Sequence, residues 1–155
     1  MNARTNQRIS HRYTQTNEAA PERVFPLLCP VREAEWLPGW RYRMVHSDSG
    51  IAELGCVFAT PNEDGSETIW IVTEYDPHAW RMAFVWVRPG LVATQLAIAL
   101  RAAGAERTYA DIAYTYTGLS KEGNALVAGY TAAWFAEKMR GWESAINLFL
   151  QRKPR

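Results

Sequence analysis

Few side chains in this sequence can do chemistry, and their spacing excludes more mechanisms than it names. His11, His46 and His78 lie too far from one another, and from Cys29 and Cys56, to give the close ligand spacing of a zinc site. Gly118-Leu119-Ser120-Lys121-Glu122-Gly123 comes near a Gly-x-Ser-x-Gly nucleophile elbow but misses it by its spacing. His46-Ser47-Asp48 are neighbours in the chain, whereas triad members meet in space, so their adjacency carries little. There is no glycine-rich phosphate loop. Four candidates remain. His46 could act as a general acid/base or as a polar anchor for a ligand, or it could be a strand-end imidazole at the surface. Tyr114 and Tyr116 could offer hydroxyls to a ligand carbonyl, or pack with those hydroxyls paired to backbone. Glu74 could be an inward carboxylate with a raised pKa, or a solvated strand end. No metal or cofactor signature is read.

The elements that must position these groups follow from periodicity. Residues 8–16 are β-prone and predict a first strand. Asn17 offers a cap ahead of a short helix at Ala19–Phe25, with Pro21 in its first turn, where a missing N–H costs nothing. A second short helix is expected at Val31–Trp36, ending before Pro38-Gly39. A meander follows, with strands predicted at 40–46, 51–59, 67–75, 80–87, 91–101 and 107–117 and turn residues between them. From Asn124 onward the period changes. Phe135, Met139, Trp142, Ile146 and Phe149 recur at steps of three and four, which predicts one long helix over about 124–152, on the order of 40 Å in length. The sheet is the one large apolar surface that such a helix can pack against.

Alternation along the strands assigns side chains to the interior. Arg41 and Arg43 belong in water, so Trp40, Tyr42, Met44 and His46 are expected inside. The same rule turns Met82, Phe84, Trp86, Leu96, Ile98, Leu100, Ile112, Tyr114 and Tyr116 inward, while the strand at 67–75 is apolar on both faces and leaves the direction of Trp70 and Val72 open. Trp36 and Trp40 flank a Pro-Gly loop and are the candidates for a gate. Phe135, Met139 and Trp142 face the sheet from the helix, with Met139 and Trp142 weighed more as core than as contact.

Composition agrees with one α+β domain over residues 1–155. A chain of this length can remove roughly 70% of its unfolded surface from water, so it needs no staple to fold. Seven Trp, seven Tyr and five Phe are more rings than a small core needs, and some are expected to line a cavity. A formal net charge of +1 without a basic cluster speaks against nucleic acid as a partner. The basic tail Gln151–Arg155 reads as a solvated helix end. Cys29 and Cys56 read as buried small hydrophobes. The polar start of the chain lacks a signal-peptide core, and no apolar run reaches the ~20 residues of a membrane span, so a cytoplasmic location is expected.

Strand, two short helices, six strands and a long helix is an order that resembles the helix-grip fold of the START/Bet v1-like (SRPBCC, polyketide cyclase/dehydrase-like) superfamily. Ala20-Pro21-Glu22-Arg23-Val24-Phe25 is similar to the start of that family's first helix. Trp36-Leu37-Pro38-Gly39-Trp40 is similar to its entrance loop, and Val72–Pro77 followed by Trp80–Phe84 to its valine-glutamate, Asp-Pro and arginine corner. Tyr114–Leu119 resembles its last strand and the threonine-glycine-leucine exit. The resemblance implies a seven-stranded curved antiparallel sheet around the long helix, with a cavity between them for lipids, polyketides or other apolar molecules.

Three readings follow. The first is binding of an apolar or aromatic small molecule by Trp36, Trp40, Tyr42, Met44, His46, Trp70, Phe84, Trp86, Ile98, Ile112, Tyr114, Tyr116, Phe135 and Met139. The second is a cyclase, aromatase or hydrolase acting on a polyketide-like substrate, with His46 and Tyr114 or Tyr116 as its catalytic set. The third is a protein-interaction module of chaperone-regulator type. An edge strand or an exposed Trp also leaves room for a homodimer.

Overall fold

The computed structural model describes residues 7–152; the first six residues and the tail beyond Arg152 lie outside that range. Among the described residues, seven strands form one antiparallel sheet: β1 (Arg8–Asn17), β2 (Arg43–His46), β3 (Val57–Pro61), β4 (Glu67–Asp76), β5 (Arg81–Arg88), β6 (Val92–Ala102) and β7 (Thr108–Gly118). Their spatial order is β1-β7-β6-β5-β4-β3-β2, so chain neighbours pair except where the last strand returns to the first. Two short helices, α1 (Pro21–Val24) and α2 (Pro30–Trp36), follow β1, joined by a single 3-10 turn at Phe25–Leu28. Prolines begin both helices, at positions where no backbone donor is lost.

The helical end of the chain is two helices rather than the one predicted over 124–152: α3 (Lys121–Ala128) and α4 (Ala132–Arg152). The near-miss elbow is the start of α3. The Ser120 hydroxyl accepts from the Gly123 N–H as an N-cap, and Gly123 lies against the β5–β6 turn so closely that a Cβ would run into the Leu91 carbonyl. Gly129 ends α3, and the Thr131 hydroxyl accepts from the Trp134 N–H to begin α4. The apolar period reads through this joint because both helices face the same interior.

The second strand is shorter than expected, and the third begins six residues late. Residues 47–56 form a turn held by the Glu53 carboxylate, which accepts from the Asp48 and Ser49 N–H groups at 2.6 and 2.9 Å. A register shift between Met44 and His46 breaks the alternation of β2. On β5 to β7 alternation holds, and Met82, Phe84, Leu96, Ile98, Ile112 and Tyr116 are buried, as are Phe58 on β3 and Val72 on β4, which has its own register shift between Val72 and Glu74. Helix α4 lies across this concave face and is tied to β1 by side chains. Both oxygens of Glu143 accept, from the Tyr13 O–H at 2.7 Å and the Thr16 N–H at 2.6 Å. Asn147 accepts from Asn17 and from the Glu18 N–H, and donates to the Thr16 carbonyl. No helix among the described residues is long and apolar enough to cross a membrane.

Candidate functional site

Where α4 leaves β1 it stands off from the middle of the sheet. A cavity of about 310 Å³ opens there, between β3–β7 on one side and α2 and α4 on the other. Trp40, Trp70, Phe84, Trp86, Ile98, Tyr114 and Met139, all expected at a binding site, line it. The rings hold one another in place. Trp70 stacks on Trp86 at 4.1 Å and on Phe58 at 5.2 Å, and Trp86 meets Tyr114 edge-on at 5.5 Å. The Trp40 indole N–H donates to the Pro30 carbonyl at 2.8 Å, which fixes that ring beside the 36–40 loop.

Several expected residues lie elsewhere. His46 is exposed, with its Nε2 3.4 Å from the Asp48 carboxylate, because the register shift in β2 turns it to the outer side. Trp36 is buried behind the cavity, its indole donating to the Leu27 carbonyl and its ring edge-on to Trp142. Tyr42 and Met44 are half-buried against the core, and Ile112 and Phe135 are packed within it. Tyr116 faces a different chamber, described below. Glu74 is a surface strand residue paired with Arg81 at 3.3 Å.

Two ionisable residues on the cavity wall were not singled out by sequence. Glu33, on α2, projects into the cavity, where burial pushes its pKa up to about 8, with an opposing pull from a hydrogen bond with Trp142. Lys138, on α4, presents its ammonium to three rings: Tyr114 at 4.8 Å, Trp134 at 5.4 Å and Trp86 at 5.9 Å. Lys138 is exposed as a residue, and its side chain borders the cavity and two adjoining hollows. Crowding of the ammonium by these rings lowers its pKa to about 8. No ion pair to Lys138 occurs among the described residues. Near neutral pH Glu33 is therefore mostly a neutral acid and Lys138 mostly an ammonium. Burial, and then the nearby Glu33, push Tyr114 upward and keep its phenol neutral.

Sequence signals for this pair exist, in the form of a Glu within α2 and a lysine on a helix of apolar period. Alone they look like two surface charges. Only the standing-off of α4 makes them cavity residues. Next to the cavity, and sharing Thr68, Trp86 and Lys138 with it, is a smaller chamber of about 200 Å³ that reaches Arg88, Thr94, Tyr116 and Tyr130. On the opposite side an apolar groove over Leu37, Pro38, Gly141, Trp142, Ala145 and Leu148 shares Leu37, Lys138 and Trp142 with the cavity.

The fold has solved counterparts. Norcoclaurine synthase from Thalictrum flavum, in complex with dopamine and hydroxybenzaldehyde, superposes with a TM-score of 0.68 at 14% identity, over 96% of this chain and 90% of that one. This chain has the Bet v1-like helix-grip fold. Other helix-grip structures agree. Ara h 8.0201 gives 0.67 at 17% identity, over 95% of this chain and 100% of that one. The di-domain ARO/CYC protein BexL from the BE-7585A biosynthetic pathway gives 0.69 at 13% identity, over 94% of this chain and 48% of that one. No family model matches the sequence, and no curated protein matches it.

Proposed function

We propose that this helix-grip protein binds an apolar or aromatic small molecule, such as a lipid or a polyketide, in the cavity between the sheet and α4. The observation that carries this reading is the cavity itself. About 310 Å³ is left open among the surrounding rings, where a protein interior is otherwise close-packed. The rings are pre-positioned by their mutual stacking and by the Trp40 hydrogen bond, so little ordering cost falls on the ligand. The groove over Leu37 and Trp142 supplies an apolar way in.

Titration with the neutral fluorophore N-phenyl-1-naphthylamine, read alongside native mass spectrometry of freshly purified protein, tests this. One saturable site per chain is expected. Absence of saturable binding up to the solubility limit of the probe would remove the reading.

A second reading, catalysis on a polyketide-like substrate, is favoured by Glu33 and Lys138 sharing one cavity, since a neutral acid and a cation there could move a proton or hold a developing enolate. In that case Glu33→Gln would abolish turnover of a true substrate while leaving binding intact. An interaction module with a filled interior is the reading that the open cavity supports least.

A further inference from the structure

The smaller chamber behind Lys138 is unlike the cavity that it joins. Among the described residues, buried side-chain atoms without a hydrogen-bond partner include Arg88 Nε, Thr94 Oγ1 and the Tyr116 hydroxyl. All three residues line this one chamber, together with Lys138. Each of these groups can donate a hydrogen bond, and two of the four residues are cations. Buried polar atoms are paired as a rule, and leaving one without a partner costs stability, so three at one place mark a site built for something else. No acid lines the chamber; Asp64 reaches the outer Nη2 of Arg88 at 3.4 Å and is itself more than half exposed. Arg88 Nε is left free of it.

We propose that the ligand is an amphipathic anion, with its apolar body among the rings of the large cavity and a single oxyanion head, such as a carboxylate or sulfonate, in the small chamber against Lys138, Arg88, Thr94 and Tyr116. This rests on the cavity being a binding site, as argued above, and adds the charge and orientation of its occupant. The two hollows share Trp86, Thr68 and Lys138, so one molecule can span both. The head takes up donors that otherwise stay unpaired, beside an ammonium held over the Tyr114 and Trp134 rings. The charged and titratable groups facing the chamber and cavity are Lys138 on α4, Arg88 on β5, Tyr114 and Tyr116 on β7, Tyr130 between the helices and Glu33 on α2. Burial pushes the phenols upward, so they stay neutral and can donate. As pH rises past about 8, Lys138 loses its charge and Glu33 gains one. Both changes disfavour an anion.

The test compares two probes with the same ring skeleton. One is 8-anilinonaphthalene-1-sulfonate, whose charge does not titrate, and the other is neutral N-phenyl-1-naphthylamine. Lys138→Met is expected to weaken the sulfonate at least tenfold more than it changes the neutral probe. Tyr116→Phe and Thr94→Val, which remove one hydroxyl each and alter shape little, are expected to show the same selectivity at three- to fivefold. In the parent protein the sulfonate should bind more weakly at pH 9 than at pH 7, and this loss should shrink in Lys138→Met to the part left by Glu33 ionisation and vanish in Lys138→Met/Glu33→Gln. Equal losses of both probes, or no loss of either, in variants that fold would overturn the anion head and leave the cavity reading standing. Failure of the neutral probe to bind the parent would remove the cavity reading, and this one with it.

Discussion

The two sides of α4 treat polar groups in opposite ways. Along β1, Glu143 and Asn147 find partners at nearly every oxygen and amide hydrogen, and the seam joins the helix to the strand and to Glu18 just beyond it with five hydrogen bonds of 2.6–3.2 Å. One turn or so earlier on the same helix, Lys138 has rings around it and no carboxylate among the described residues, and the hydroxyls opposite it on β6 and β7 are unpaired. Gln15 Oε1 is the one comparable loose end near the seam, and its amide still donates to Asn17 at 2.8 Å. The paired side behaves as a clamp that fixes the helix on the sheet. The unpaired side behaves as a site that keeps its hydrogen-bonding capacity for a guest. The same sequence of helix and strand residues serves both, and what differs is whether the helix touches the sheet.

That contrast can be broken in four places. Glu143→Ala removes both acceptors of the clamp and leaves the Tyr13 hydroxyl and the Thr16 N–H without a partner. A loss of about 3–4 kcal/mol in urea denaturation is expected. An effect under 1 kcal/mol would mean that the seam does not hold the helix.

Glu33→Gln comes next, and its effect depends on pH. The folded pKa of Glu33 is raised to about 8 from an ordinary value near 4.5, so the folded state holds this proton more tightly than the unfolded chain. Stability is therefore lost as pH rises from about 4.5 through about 8, where ionising the buried acid becomes the cost. The variant should match the parent near pH 4 and exceed it by about 2–3 kcal/mol at pH 9, a figure reduced to allow for water in the cavity. Parallel pH-stability curves for the two proteins would show that Glu33 is not desolvated.

The last two are the same substitution at the two sides of the helix. Tyr13→Phe deletes a paired hydroxyl of the clamp and should cost about 1–2 kcal/mol in thermal or urea unfolding. Tyr116→Phe deletes an unpaired one and should leave the free protein within about 0.5 kcal/mol of the parent, or slightly above it. If the two cost the same, the distinction between clamp and site fails.

Much of this molecule could be read in advance. The positions of β4 to β7 followed from period-two patterning, and the inward set on β5 to β7 held because those strands run for eight residues or more without a register shift. His46 was misplaced because a single irregular step in β2 flips every later side chain, and a four-residue strand carries too little pattern to reveal the step. The joint at Gly129–Thr131 was hidden because the apolar stripe continues across it. Glu33 and Lys138 were passed over because a charged residue on a helix looks like a surface residue until its neighbours are known.

By itself, then, the order of apolar periods determined the sheet, the covering helix and the ring-rich interior, since these depend on local alternation and on burying one large face against another. The tertiary structure alone decided how far α4 stands from the sheet. That distance turns one stretch of the helix into a hydrogen-bonded clamp and its neighbour into a cavity with an uncompensated cation, and it arises from contacts between residues more than a hundred positions apart, such as Tyr13 with Glu143.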